Sequence, residues 1–492
     1  MTILHPVDTA RAQLAPPIVW RHFDALCRIP RPSQHEDAVR SHVVNWAAAR
    51  GLATEVDAIG NLLVRKPGQH GGEQAETLVL QNHLDMVCQK NEGVTHDFLR
   101  DPIQTVIEGE WLRAPGTTLG ADNGMGVALA LALLEDVETP HGPLEVLFTV
   151  DEEAGMGGAH GLQAGWLQGR RMLNLDTEEW GEFFLGCAGG LDVNVTRHSV
   201  ADVVPPGWQT WQVSLTGLRG GHSGVNIHEE RGNAIKLLVR VLHGLQAATD
   251  CRWASLNGGT ARNALPREAF AMVAIPPQRA ADMLSGIESW QATLHAELAD
   301  TEPGLSLQAR PAATPAAALL SPSEQHVWCS TLLAAPHGVH RMSQSLAGVV
   351  ETSNNLGVVQ IQPQGGEVNF MVRSLRDSAA QALGEQIAAL WSLSHSDVTL
   401  SGHYPGWTPN PASPLLAICQ QVFHELTGQA STVKVIHAGL ECGLIQALYP
   451  DMDIVSFGPT IRGAHAPGEA VHIPTVASSW QLLRAIARKL SS

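Results

Sequence analysis

The sequence predicts an α/β protein: an α/β/α domain with a mostly parallel central sheet, interrupted by an inserted α+β domain. Three observations carry this. Short apolar runs of strand length occur near both ends of the chain, several too continuously apolar to have a wet face. A short helical stretch lies between two of them, as a crossover between parallel strands requires. The texture then changes after Gly189-Gly190, where alternating runs and glycine-rich turns take over until about residue 398.

The elements follow in order. From Ile18 to about Ala49 apolar positions recur at helical spacing, broken around Pro30-Arg31-Pro32 and ended by Gly51. Segments 62–64, 77–81, 144–150, 171–175 and 453–457 read as strands of a covered sheet, and 124–135 as the crossover helix. In the insert, 211–215 alternates like a strand, 233–245 is an amphipathic helix, 358–362 and 368–373 flank Gly365-Gly366, and 378–391 is helical. The Pro/Ala-rich stretch 310–322 reads as a surface loop. This places a catalytic domain at 1–189 and 399–492, with the insert at 190–398 acting as a lid. A chain of 492 residues exceeds what one hydrophobic core supports.

Composition narrows the function classes. With 44% hydrophobic and 16% charged residues the chain is globular, and its 48 acidic against 31 basic residues give a net charge of −17. A phosphate backbone would be repelled, so nucleic acid is excluded as a partner. The longest apolar stretch, 124–134, is about half of what a bilayer-spanning helix needs. No membrane association is expected, and the N-terminal residues show no secretory signal, so a cytosolic home is expected. The seven cysteines are odd in number, scattered and never in C-x-x-C spacing, which argues against a disulfide framework or a thiolate zinc site.

Chemistry gathers at strand ends. The second apolar run leads into His83-Leu84-Asp85, the third into Asp151-Glu152-Glu153, the fourth into Asp176-Thr177-Glu178-Glu179, and the last through Gly458-Pro459 to His465. Gly120-Ala121-Asp122-Asn123-Gly124 adds an aspartate in a glycine-flanked turn before the crossover helix. In a mostly parallel sheet the strand C-termini share one edge, where ligands bind. Carboxylates gathered there repel each other unless they take up protons or hold cations. Two divalent ions answer the problem, zinc first and cobalt or manganese as alternatives. Asp122 is the bridging candidate, His83 and Asp176 complete one ion, and Glu153 and His465 the other. Asp85, two residues from His83 on an extended segment, is placed to accept its other ring N–H. Of the adjacent Glu152 and Glu153, one can ligate while the other takes a proton. The Glu178-Glu179 pair reads as solvated.

These motifs are similar to those of the co-catalytic zinc exopeptidases of the aminoacylase and carboxypeptidase-G type. Gly220-Gly221-His222-Ser223-Gly224, Glu351-Thr352-Ser353-Asn354-Asn355, Tyr404-Pro405-Gly406-Trp407 and His437-Ala438-Gly439-Leu440-Glu441-Cys442-Gly443 further resemble the cytosolic aminoacyl-histidine dipeptidases. The resemblance spans nearly the whole chain. It implies hydrolysis of short peptides, notably Xaa-His dipeptides such as carnosine, by a water activated between two zinc ions, and it suggests a homodimer. It assigns His83, Asp122, Glu153, Asp176 and His465 to the metals, Asp85 to orientation, Glu152 to general base and acid, and His222 to polarising the scissile carbonyl. Arg373 is the candidate for the substrate's C-terminal carboxylate, because a guanidinium binds it in a fork; Asn263 and Glu441 are further substrate-binding candidates. Asn82 stands where relatives more often have glycine before the ligand histidine. The rival readings are an N-acyl-amino-acid deacylase or tripeptidase on the same scaffold, and a catalytically silent metal-binding assembly protein.

Overall fold

The computed structural model describes residues 14–491. Among these residues the chain forms two compact units. The first comprises the chain up to Gly186, Pro409–Val435 and the stretch from Leu440 onward; the second comprises Cys187–Thr408 and Ile436–Gly439.

In the first unit the strands that matter are β1 (Leu78–His83), β2 (Leu144–Thr149), β3 (Arg171–Asn174) and β4 (Asp453–Ser456), with helices α1 (Ala121–Glu135), between β1 and β2, and α2 (Glu441–Leu448), before β4. Every residue of β1 and β2 is buried, as expected of strands covered on both faces. The order β2-β1-β3-β4 is parallel throughout. The eight-stranded sheet as a whole is mixed rather than mostly parallel. Ala53–Val56 and Leu62–Lys66 add antiparallel strands beyond β2, and Glu182–Cys187 runs antiparallel to β4. The parallel centre is what matters for chemistry, since it brings four strand C-termini to one edge. Helix α1 is buried along almost its whole length, so the apolar run read from sequence is core.

The second unit is built on a nine-stranded sheet in which all neighbours pair antiparallel. Helices Ala234–Thr249, Ala280–Leu298, Pro322–Ala334 and Asp377–Ser392 share its hydrophobic core. Asn233 caps the first of these helices, accepting from the Ile235 and Lys236 N–H groups. Two segments differ from the sequence reading. Asp397–Tyr404 is an edge strand paired with Gly189–His198, so this unit runs past residue 398; the strand is mostly exposed, and no apolar run marks it. Ser306–Pro311, whose last two residues overlap the stretch read as a loop, is the opposite edge strand; only Leu307 and Ala309 turn to the core while Gln308 and Arg310 are exposed, so no apolar run marks it.

Candidate metal centre

Strand ends place the charged groups. His83 is the last residue of β1; Glu152 and Glu153 follow β2 by three and four residues, and Asp176 follows β3 by two. Asp122 departs from helical geometry at the start of α1, with φ −80° and ψ 115°. His465 lies between two short strands that follow β4 and has φ +63°. These segments meet. His83 Nε2 lies 3.2 Å from Asp122 Oδ1 and 3.3 Å from Asp176 Oδ1. His465 Nε2 lies 3.1 Å from Asp122 Oδ2 and 3.1 Å from Glu153 Oε2. Two ligand groups, His83/Asp122/Asp176 and Asp122/Glu153/His465, share Asp122 through its two oxygens, and a third brings His83 together with Glu152 and Glu153.

The arrangement around this pair is equally specific. His83 Nδ1 lies 3.3 Å from Asp85 Oδ1, and Asp85 also accepts the Ser33 hydroxyl and the backbone N–H groups of Glu152 and Glu153. One buried carboxylate therefore orients both the imidazole of β1 and the turn after β2. Asn82 alternates away from His83; a Cβ on Gly126 of α1 would stand 2.6 Å from its Oδ1, so its side chain packs against the helix rather than the ligands.

Negative charge is in surplus. The paired histidine rings hold the Asp122 carboxyl well below its usual range against the opposing effect of burial. Burial, then repulsion by neighbouring carboxylates, pushes Glu152 well above the usual range and Asp176 up to about 6. Glu178, read as solvated, is half-buried; burial and the charges of Asp122 and Asp176 push it up to about 8. Hydrogen bonds to Asp122 and Glu153 push His465 up to about 11, and His83 is raised well above its ordinary value because Asp176, Asp122 and Asp85 outweigh burial.

The donor set fits two divalent cations. Two ligands at about 2.0–2.1 Å on a tetrahedral ion stand about 3.3 Å apart, which is the spacing each Nε2 keeps from two carboxylate oxygens at once. A single ring N–H cannot serve two acceptors well, and buried Glu153 Oε1 has no hydrogen-bond partner. Cations bound by these oxygens would remove both the repulsion and the unmet acceptor.

The second unit carries a cluster of its own. His222 Nδ1 accepts from the Gly224 and Val225 N–H groups, so its hydrogen resides on Nε2. That nitrogen lies 3.4 Å from Nη2 of buried Arg373, whose Nη1 donates to the Tyr404 hydroxyl at 2.9 Å and whose Nε faces Ser223 Oγ at 3.4 Å. Two donors side by side call for an acceptor between them. Burial, then the Arg373 charge, lowers His222 to about 4, so the ring is neutral near pH 7. Asn263 is exposed and reaches this cluster through its carbonyl, which accepts from Ser223 N–H. Glu441 belongs to the first unit. It opens α2, fully buried, and its Oε2 accepts from Gln81 and Thr149 at 2.6 Å each.

Three groups escaped assignment from sequence: Glu178, whose adjacent Glu179 made the pair look like an exposed charge run; Tyr404; and His437. The last is buried in the second unit against Ser353 Oγ at 2.8 Å and lowered to about 3 by burial and Arg373. Both Tyr404 and His437 lie in quoted motifs, but only contact with Arg373 or its neighbours marks them as part of one cluster.

Comparison with known proteins matches this geometry to a family. The model for peptidase family M20/M25/M40 matches residues 79–489. The chain is 45% identical over 479 residues to the cytosol non-specific dipeptidase of Escherichia coli (strain K12), covering 97% of this chain and 99% of that protein. The crystal structure of aminoacylhistidine dipeptidase from Vibrio alginolyticus aligns with a TM-score of 0.88 at 44% identity, covering 97% and 98% of the two chains. A tripeptidase from Staphylococcus aureus shares the fold at 14% identity and a TM-score of 0.56, covering 97% and 99%. With matches extending across nearly its whole length, the chain belongs to peptidase family M20/M25/M40.

Proposed function

We propose that this protein is a metal-dependent dipeptidase that hydrolyses Xaa-His and other dipeptides, with two zinc ions held by His83, Asp122, Glu153, Asp176 and His465. The observation that carries the chemistry is the pair of three-ligand groups sharing Asp122 with Glu152 beside them. The substrate class follows the two whole-length relatives, one named a non-specific dipeptidase and the other an aminoacylhistidine dipeptidase. A cytosolic location follows the name of the first; no helix among the described residues is long and apolar enough to cross a membrane.

When bound, the cations supply Lewis acidity for the scissile carbonyl and a lowered pKa for the attacking water. The chain's residues do the rest. Glu152, raised by burial and by its carboxylate neighbours, takes a proton from the water and passes it to the leaving amine. Asp85 fixes the ring of His83 and the turn bearing Glu152 and Glu153. His222, neutral with its hydrogen on Nε2, donates to the oxygen that gains charge, and Arg373 binds the substrate's carboxylate.

The test is a substrate panel on zinc-loaded protein: carnosine, other Xaa-His dipeptides, dipeptides without histidine, tripeptides and N-acetyl amino acids. Turnover of the dipeptides well above the rest is expected. Faster turnover of N-acetyl amino acids or tripeptides would reassign the substrate, and no turnover with metals bound would remove the enzymatic reading.

A further inference from the structure

Four consecutive backbone N–H groups at the start of α1 converge on one buried carboxylate. Glu469, 2% exposed, accepts through Oε2 from Leu119 (2.7 Å) and Gly120 (2.9 Å), and through Oε1 from Ala121 (2.7 Å) and Asp122 (3.2 Å). A helix start leaves such amides without intrahelical partners, and Gly120, the capping residue, has no side chain to serve them. The anion also lies at the favourable end of the helix dipole.

Against the same turn lies Arg31, also 2% exposed. Its Nη2 donates to Gly120 O at 2.5 Å, and its Nη1 to Leu84 O and Asp85 O at 2.9 Å each. Both glycines of the Gly120-Ala121-Asp122-Asn123-Gly124 motif make room for it: a Cβ on Gly120 or on Gly124 would stand 2.5 Å from Arg31 Nη2. Gly120 also has φ +69°, which glycine adopts without strain. The motif is thus the wall of an arginine slot as well as a tight turn.

Three turns carry ligand residues: that of His83, that of Asp122 and that of His465. Arg31 bonds the first and second. Glu469 bonds the second and belongs to the third, four residues after His465. Neither hydrogen-bonds a ligand side chain; both hold backbone. Each is a buried charge of opposite sign on one peptide turn, so removing either leaves the other less well compensated.

We infer that Arg31 and Glu469 are positioning residues of the metal centre, which jointly set the place of Asp122 relative to His83 and His465 and thereby the affinity for both cations. The inference rests on the metal-dependent reading above. Outer partners of metal ligands typically contribute about 10–100-fold in affinity.

The test measures zinc dissociation constants by competition with a chromophoric chelator, together with apo melting temperatures, for the wild type, Glu469→Gln, Arg31→Lys, Gly124→Ala and the double variant Glu469→Gln/Arg31→Lys. Each single change is expected to weaken zinc binding by about 10–100-fold and to lower kcat with little change in KM. Gly124→Ala should behave like Arg31→Lys, and the double variant should lose less than the product of the two single losses, as residues acting as a unit do. Dissociation constants within about twofold of wild type would overturn the inference, even alongside a lower apo melting temperature, because that pattern is capping alone. Arg31→Lys and Gly124→Ala decide the matter if Glu469→Gln does not fold. A wild type that binds no zinc would instead overturn the metal-dependent reading itself.

Discussion

The two units solve opposite electrostatic problems. In the first, Asp122, Glu152, Glu153, Asp176, Glu178 and Glu441 crowd around two imidazoles, and burial with mutual repulsion raises four of them above the usual carboxylate range. In the second, the Arg373 guanidinium is surrounded by groups that bring no negative charge into contact: the hydroxyls of Ser223 and Tyr404 and the neutral ring of His222. The first cluster asks for cations and the second for an anion or a carbonyl oxygen. A peptide hydrolase needs both, and here each is built on its own scaffold: strand ends of a parallel core in one case, an antiparallel sheet with a glycine-rich turn in the other.

The largest effect is expected at the base. Glu152→Gln should lower kcat by at least about 10²–10⁴-fold with both metals retained, read from steady-state kinetics and metal analysis. Loss of metal in this variant would mean that Glu152 ligates and that the split between it and Glu153 is wrong.

The second unit should give smaller and different losses. His222→Ala is expected to lower kcat by about 10²–10³-fold, the size of one oxyanion donor. Arg373→Met should mainly raise KM, and should matter far less for a dipeptide amide than for the free acid. Equal effects on amide and acid would show that Arg373 reads something other than the carboxylate.

The smallest effect is on stability, and near neutral pH it is set by the first-unit cluster. Without metal, Asp176 holds its proton to about pH 6, Glu178 and Glu441 to about 8, and His465 to about 11, all above their unfolded values. The native state then binds more protons than the unfolded state, so stability falls as pH rises through these values. His222 and His437, lowered to about 4 and about 3, act in the opposite sense only below about pH 6.5. The apo melting temperature should therefore fall between pH 6.5 and 8, and zinc should remove most of the decline. A flat apo profile would contradict the surplus of buried acid.

Much of this was legible in the chain because the relevant signals are local. A strand covered on both faces carries an apolar run, so β1 and β2 could be read from 78–80 and 146–148 although Gln81, Asn82 and Glu145 are buried there too, and a charged residue just past such a run stands out. His83, Glu153 and Asp176 were singled out as ligand candidates that way, Asp122 by its glycine-flanked turn and His465 by the segment that follows the last run. The two edge strands of the second unit, Asp397–Tyr404 and Ser306–Pro311, were not: an edge buries little and can be polar. Glu178 was misread for a related reason, since burial created by segments far away leaves no mark on neighbouring letters.

The amino-acid sequence alone determined which chemical groups end the core strands and in what order, because apolar runs, glycine turns and charged residues act within a few positions. Only the tertiary structure decided which atoms share a neighbour. The two oxygens of Asp122 facing two different imidazoles, the withdrawal of Glu441 beneath the first-unit cluster, and the slot that Gly120 and Gly124 open for Arg31 all depend on contacts across tens to hundreds of residues. Distances of that kind are set by packing, which no local pattern encodes.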